Sequence, residues 1–308
     1  MNNSAQDGFN GKVEQFKSPT QLPNSAEAQQ WQNANKQWWE NSPMRYDWSS
    51  ELSMSEGSPE YFAEIDRRFF NSSRHYLPWQ KQPFDVLIDF PSLATKDVLE
   101  IGVGHGSHAA LIAPHCRTFT GIDLTGRATT MTRKRLEQKQ IKASIEQMDA
   151  ENMCFPNVSF DFIWSWGVIH HSANTEKVVQ EMARVLKPNG QAVVMVYFRS
   201  WWHYYIQQGL LHRLATRHRQ ESNHEIAQRF TDGAIARFYS VPEWQSLCAD
   251  TFKLVKVQVT GLKTDVLPLP GGFFKEWCIE HVPDQVTRFM TDKLRMGSFL
   301  IVHMTRRT

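Results

Sequence analysis

Glu100, Gly102, Gly104 and Gly106 stand at alternate positions in the run Glu-Ile-Gly-Val-Gly-His-Gly. Glycines at that spacing let a ligand approach the backbone without meeting a side chain, and an acid just ahead of the turn suits a ligand bearing an ammonium group. A bare strand-to-helix turn would use the same glycines. Asp123, further along, is a carboxylate able to accept both hydroxyls of a ribose, or else to cap a helix beginning near Thr125 and Gly126. Asp149 and Ala150 offer a carboxylate and backbone groups to an adenine edge; an ordinary loop acid reads the same way. His170 and His171 bring imidazoles, which are neutral near pH 7 and able to remove a proton from a reacting group, or to cap or position a loop. No acidic cluster accompanies them, and Cys116, Cys154, Cys248 and Cys278 lie far apart without Cys-x-x-Cys spacing, so no metal and no disulfide framework is expected.

Such residues need a scaffold that carries them to one edge. From 97 to 303 the pattern alternates strands and helices, as in a parallel sheet covered on both faces. Strands are expected at 97–102, 117–123, 143–148, 160–166, 191–198, 252–260 and 298–305. A helix carrying Val178, Val179, Met182, Val185 and Leu186 on one face must stop at Lys187-Pro188-Asn189-Gly190. Ahead of the sheet, residues 1–28 are rich in Asn, Gln, Ser and Pro and read as a loose arm. Residues 29–90 read as a helical cap, in which Ser58-Pro59-Glu60 opens a helix. Between strands five and six, 199–240 is helical and aromatic and reads as a lid inserted over the site, within a domain spanning 91–308.

A nicotinamide-binding turn, G-x-G-x-x-G, would place its third glycine at 107, where this chain has Ser107; the spacing G-x-G-x-G favours S-adenosylmethionine. The strings VLEIGVGHG, Asp123, FDFIWSWGVIHHS and ARVLKPNGQAVVMV, in that order, resemble the motifs of class I S-adenosylmethionine-dependent methyltransferases of the broad methyltransferase-11 type over roughly 97–198. The resemblance implies a Rossmann-like seven-stranded sheet of order 3-2-1-4-5-7-6 with strand seven antiparallel. It implies Glu100, Gly102, Gly104 and Gly106 around the methionine moiety and Asp123, with Leu124, at the ribose. Asp149 and Ala150 then face the adenine, Trp166 and Gly167 close the pocket, and His170 or His171 lies near the transferred methyl. The product is S-adenosylhomocysteine.

The acceptor is expected to be a small molecule, methylated at oxygen, nitrogen or carbon, with sulfur a further candidate, and held by aromatic residues drawn from Trp39, Tyr46, Trp201, Tyr204 and Tyr205. Thirty-four basic and 32 acidic residues nearly cancel, which argues against a nucleic-acid partner. Of two basic runs, Arg133-Lys134-Arg135 reads as a solvated helix face, and the segment with Arg213, Arg217, His218 and Arg219, in the insertion, reads as another or as a group that neutralises an acidic acceptor. The first residues lack a basic segment followed by an apolar one, and no stretch approaches about eighteen apolar residues, so the expected place is the cytoplasm, without a membrane anchor. Methylation of RNA or protein, or a silent donor-binding scaffold, are the alternative readings. Composition is silent on oligomeric state.

Overall fold

The computed structural model describes residues 11–47, 51–215, 220–267 and 273–307. Its strands are β1 (Asp97–Ile101), β2 (Thr118–Asp123), β3 (Ser144–Gln147), β4 (Phe160–Trp166), β5 (Leu186–Phe198), β6 (Phe238–Tyr239), β7 (Phe252–Thr260) and β8 (Phe299–Arg306). They form one sheet of order β3-β2-β1-β4-β5-β8-β7. Strands β1 to β5 pair in parallel, and β8 runs antiparallel to both β5 and β7. This is the expected order; the numbering shifts because the two-residue β6 pairs with the end of β5.

Helices cover both faces. On one, α1 (Ala28–Asn41), α2 (Pro59–Tyr76), α3 (Ser107–Ile112) and α4 (Gly126–Gln138) precede β3. Ser58 caps α2 by accepting from Tyr61 N at 3.1 Å, and Pro59 starts it where no N–H is needed. Helical spacing then puts Phe62, Ile65, Phe69 and Tyr76 on one buried stripe. Phe69 and Tyr76 join Val98, Phe119, Phe162 and Trp164 in the core on this side. On the other face, α5 (Thr175–Val185) buries Val178, Val179, Met182 and Val185 against β4 and β5. Each such side chain contributes about 1.5–3 kcal/mol by leaving water.

The insertion holds a π-helix (Trp201–Leu211), α6 (His212–Ala215) and α7 (Asn223–Arg229); α8 (Val241–Leu247), α9 (Lys263–Val266), α10 (Phe273–His281) and α11 (Asp284–Arg288) follow. Among the described residues no helix is long and apolar enough to cross a membrane.

Three expectations change. Helix α5 does stop before Pro188, but β5 starts at Leu186, with the turn looped out inside it: Phe160 pairs with Leu186 and Phe162 with Gln191. The Arg133-Lys134-Arg135 run is a solvated face only in part, since Arg133 and Lys134 are exposed but Arg135 is not. Arg135 is 1% exposed, ion-paired with Asp66 of α2 and donating to the His105 carbonyl at 3.0 Å, while Arg133 donates to the Ile145 carbonyl. In the second basic run Arg213 donates to Asn223 Oδ1 at 2.6 Å, and Arg217, His218 and Arg219 lie outside the described residues.

The arm expected over 1–28 is the third. Residues 1–10 lie outside the described residues, but Val13 and Phe16 are buried, and Phe16 meets Trp31 edge-on at 5.7 Å. Polar composition obscured this segment because its order comes from a partner remote in sequence. Arg237, fully buried, donates to the carbonyls of Gln21, Ser172 and Ala173. Replacing Arg237 with Met should strand these carbonyls and cost about 3 kcal/mol or more. Urea unfolding measures this, and an unchanged midpoint would show that the arm holds without the clamp.

Candidate active site

The carboxyl ends of β1, β2, β3 and β4 open onto a cavity of about 590 Å³. Gly102, Gly104, Asp123, Leu124, Asp149, Ala150, Trp166 and Gly167 all line it, so the sheet gathers residues that are spread over 66 positions of sequence. The three glycines of the turn do different things. A Cβ on Gly102 would stand 2.2 Å from the Val168 side chain, so its absence lets the loop after β4 close down on β1. A Cβ on Gly104 would meet nothing within 4 Å, because that position faces open cavity. Gly106 is off the cavity and admits Thr132 and Arg135 of α4.

Glu100 does not line the cavity either. It is 2% exposed, and its Oε2 has no hydrogen-bond partner; burial, with Asp123 nearby, raises its pKa well above the usual carboxylate range. Asp123 accepts from Gly104 N at 3.1 Å on one oxygen, and from Thr125 N and Oγ1 at 2.9 and 2.8 Å on the other. Its pKa is also raised by burial. It therefore braces the loop and lines the cavity at once, while Thr125 caps α4.

The cap touches these same loops. Gln32 of α1 donates to Asp149 Oδ1 at 2.9 Å and accepts from Ala173 N at 3.0 Å, joining the loop after β3 to the one after β4. Glu40 accepts from Gly126 N and Arg127 N at 3.1 Å, at the start of α4. Neither was legible beforehand, since a Gln or Glu on a polar helix carries no local mark of its partner.

The two histidines separate. His170 is fully buried and off the cavity, its ring nitrogens without partners and its ring 4.0 Å from that of Tyr197. His171 lines the cavity; its Nδ1 donates to the Ile235 carbonyl at 2.6 Å, which leaves Nε2 as the acceptor. Burial lowers its pKa to about 3. His105, not singled out from sequence, also lines the cavity, between the Met44 carbonyl at 3.0 Å and the Tyr61 hydroxyl at 3.2 Å.

Of the aromatic residues expected around an acceptor, Trp39 and Tyr46 line the cavity, and Trp39 meets His171 edge-on at 5.0 Å. Trp201, Tyr204 and Tyr205 do not. Tyr204 turns inward to pack with Ala227, Ala236 and Phe238, whereas Trp201 and Tyr205 face outward, about half exposed. The same helix presents His203 and Gln208 to the cavity instead. The remaining wall comes from Phe69, Tyr76, Tyr197, Asp232, Asp265 and Phe299, residues too scattered in sequence to signal one site. Among the described residues no group of three or more His, Cys, Asp or Glu is arranged to hold a metal ion.

A glycine-floored cavity at the carboxyl edge of a sheet of this order is the arrangement of a Rossmann-like ligand-binding fold. Residues 99–194 match the family described as the methyltransferase domain. An uncharacterized methyltransferase of Bacillus subtilis is 29% identical over 151 residues, covering 49% of this chain and 54% of that protein. A phosphatidylethanolamine N-methyltransferase of Cereibacter sphaeroides is 33% identical over 103 residues, 33% of this chain and 50% of that one. The chain thus spans about half the length of these curated relatives. In fold it is similar to a geranyl diphosphate C-methyltransferase of Streptomyces coelicolor, with TM-score 0.53 and 15% identity over 90% of this chain and 97% of that one.

The methyl donor fits what is present. The space over Gly104 admits a ligand against bare backbone, and Asp123 beside it lines the same cavity. Gly104→Ala should fold at a cost of about 1 kcal/mol for its left-handed backbone, yet weaken S-adenosylhomocysteine binding at least tenfold. Gly102→Ala should instead lose about 2 kcal/mol or more of stability by forcing Val168 away. Calorimetry and denaturation on both variants check the contrast; equal effects would remove Gly104 from the site.

Burial holds the His105 pKa at about 4. An unfolded histidine takes its proton near 6.5, so the unfolded state gains protons first and stability is lost as pH falls from 6.5 to about 4. Relative to His105→Asn, the protein should lose about 3 kcal/mol over that window. Parallel denaturation curves at the two ends of it would exclude a buried neutral ring.

Proposed function

We propose that this protein transfers the methyl group of S-adenosylmethionine to a small-molecule acceptor. The observation that carries the reading is one continuous cavity of about 590 Å³ with the glycine turn and Asp123 at one end and Tyr46, Phe69, Tyr76 and Tyr197 at the other. When bound, the donor supplies an electrophilic methyl group on a sulfonium. Asp123 would hold its ribose hydroxyls and Asp149, beside Ala150, its adenine amino group, while Glu100, which does not line the cavity, would not contact the donor directly. Leu124, Trp166 and Gly167 would cover the donor and exclude water.

Asp123 has lone pairs to spare beyond its loop hydrogen bonds, and the hold of Gly104 N and Thr125 keeps them in place before the ligand arrives. Of the histidine pair, His171 is the better placed, since it alone lines the cavity. With a pKa near 3 it stays neutral, so its role is to accept a hydrogen bond from the acceptor and orient it rather than to hold a proton. A polynucleotide acceptor is less favoured: the acceptor end presents Asp232 and Asp265, which repel phosphates. A relative named for phosphatidylethanolamine also supports a small, non-polymeric acceptor.

The test is release of S-adenosylhomocysteine from pools of small metabolites, beside RNA and protein pools. Asp123→Ala should weaken donor binding about a hundredfold, near 3 kcal/mol, by calorimetry. His171→Ala should lower kcat roughly 10–100-fold at unchanged donor affinity. Turnover on RNA or protein alone, or donor binding that ignores Asp123, would replace this reading; donor binding with no turnover on any pool would favour the silent scaffold.

A further inference from the structure

Four carboxylates line the cavity. Asp123 and Asp149 lie at the donor end, where ribose hydroxyls and an adenine amino group would account for them. Asp232 and Asp265 also line it, and the donor would not account for them. Asp265, 3% exposed, is fixed through Oδ2, which accepts from Leu262 N and Ser298 N at 3.0 Å and from Ser298 Oγ at 2.6 Å. Its Oδ1 stands 3.8 Å from His203 Nδ1, too far for a hydrogen bond. Asp232 comes from the insertion, and among the described residues its carboxylate accepts no hydrogen bond and forms no ion pair. Lys12 acts on it only through space, because the Lys12 ammonium donates to the carbonyls of Thr231 and Gly233 and lies over the Trp38 ring.

Two phenols converge on these acids. Tyr76 is 5% exposed and lines the cavity, and among the described residues its hydroxyl has no hydrogen-bond partner. Tyr197 is held by stacking on Phe238 and feels the charge of both Asp232 and Asp265. Tyr46, stacked on Phe69, completes the ring. Among the described Lys and Arg residues only Arg127 lines the cavity, and its guanidinium is ion-paired with Glu56. The acceptor end thus pairs a buried carboxylate, Asp265, with a half-buried one, Asp232, among electron-rich rings, and no cation among the described residues is bonded to Asp232. Burying such a charge is unfavourable unless something pairs with it.

We infer that the acceptor is an organic amine, bound as its ammonium ion against Asp232 and enclosed by Tyr46, Tyr76 and Tyr197, with Asp265 as the second, immobile carboxylate. Aromatic faces attract such a cation, and phenol hydroxyls accept its remaining N–H bonds. The inference rests on the donor reading given above. Methylation then balances as follows. The ammonium gives one proton to Asp232, which burial makes readier to hold it. The freed nitrogen lone pair forms the N–C bond while the S–C bond breaks, its electron pair staying on sulfur. The positive charge passes from sulfur to nitrogen, and the product leaves as a methylammonium ion.

The experiment compares full-length protein with Asp232→Asn in S-adenosylhomocysteine release. One pool holds primary and secondary aliphatic and arylalkyl amines, and another their matched alcohols and carboxylic acids. Turnover should occur with the amine pool and fall at least a hundredfold in Asp232→Asn, while S-adenosylhomocysteine affinity, read by calorimetry on the same samples, stays within twofold. That last reading also shows the variant to be folded. Tyr197→Phe should raise KM for the responding amine several-fold at unchanged donor affinity. Turnover confined to the alcohols or acids, turnover indifferent to Asp232→Asn, or donor binding without amine turnover would each overturn the inference. Absence of donor binding in the unmodified protein would instead sink the reading on which it rests.

Discussion

A buried guanidinium that has no carboxylate partner among the described residues governs how this chain is assembled. Arg237 is surrounded by carbonyl oxygens of Gln21, Ser172 and Ala173, and its own N–H donates to the His170 carbonyl at 3.0 Å. Carbonyl dipoles stand in for water, so the charge survives burial although its pKa is pulled down. The geometric result is that three segments remote in sequence are pinned at one point: the N-terminal strap, the turn after β4, and the end of the insertion. His171 and Asp232 reach the cavity because the segments that carry them are held there. Removing the charge would loosen all three together.

What was legible in the sequence follows from the range of the forces involved. Strand and helix order came through because alternating apolar patterns are local and repeat; the run from Val98 to Ile101 and the stripe from Val178 to Val185 declare their burial within a few residues. The donor end was legible for a related reason: a parallel sheet brings the ends of successive strands to one edge, so Gly104, Asp123 and Asp149 needed only correct strand assignment. The acceptor end was not. Tyr76, Tyr197, Asp232 and Asp265 meet through tertiary packing of a cap, a strand, the insertion and a short helix, and none has a neighbour in sequence that announces the meeting. The expectation for Trp201, Tyr204 and Tyr205 failed on orientation: their segment does form a helix beside the cavity, but its inward turns are set by His203 and Gln208.

The cavity wall is polar by residue type and weakly charged in practice. His105, His108 and His171 all have pKa values lowered by burial, so these three imidazoles are neutral at ordinary pH. His108 illustrates the cause: it sits among Phe69, Phe84, Trp164 and Trp166, and both its nitrogens lack partners. Charge at the site is therefore concentrated in carboxylates. A cavity of this kind keeps its field from collapsing only while water is excluded, which is the service performed by α1 and the insertion.

Glu40 gives that enclosure a selective edge. The first N–H groups of a helix that follows a strand of this fold are a ready seat for a phosphate, since they point outward unpaired and carry the positive end of the helix dipole. At α4 that seat is taken: Glu40 of the cap receives the N–H groups of Gly126 and Arg127. A nucleoside whose ribose bears free hydroxyls meets Asp123 next door without conflict. One whose ribose is phosphorylated would have to displace a carboxylate already hydrogen-bonded there and then lie against a second. On the proposed reading the domain would thereby turn away dinucleotides whose ribose carries a phosphate, using a residue that lies on neither the strand nor the turn by which nucleotide sites of this kind are usually read.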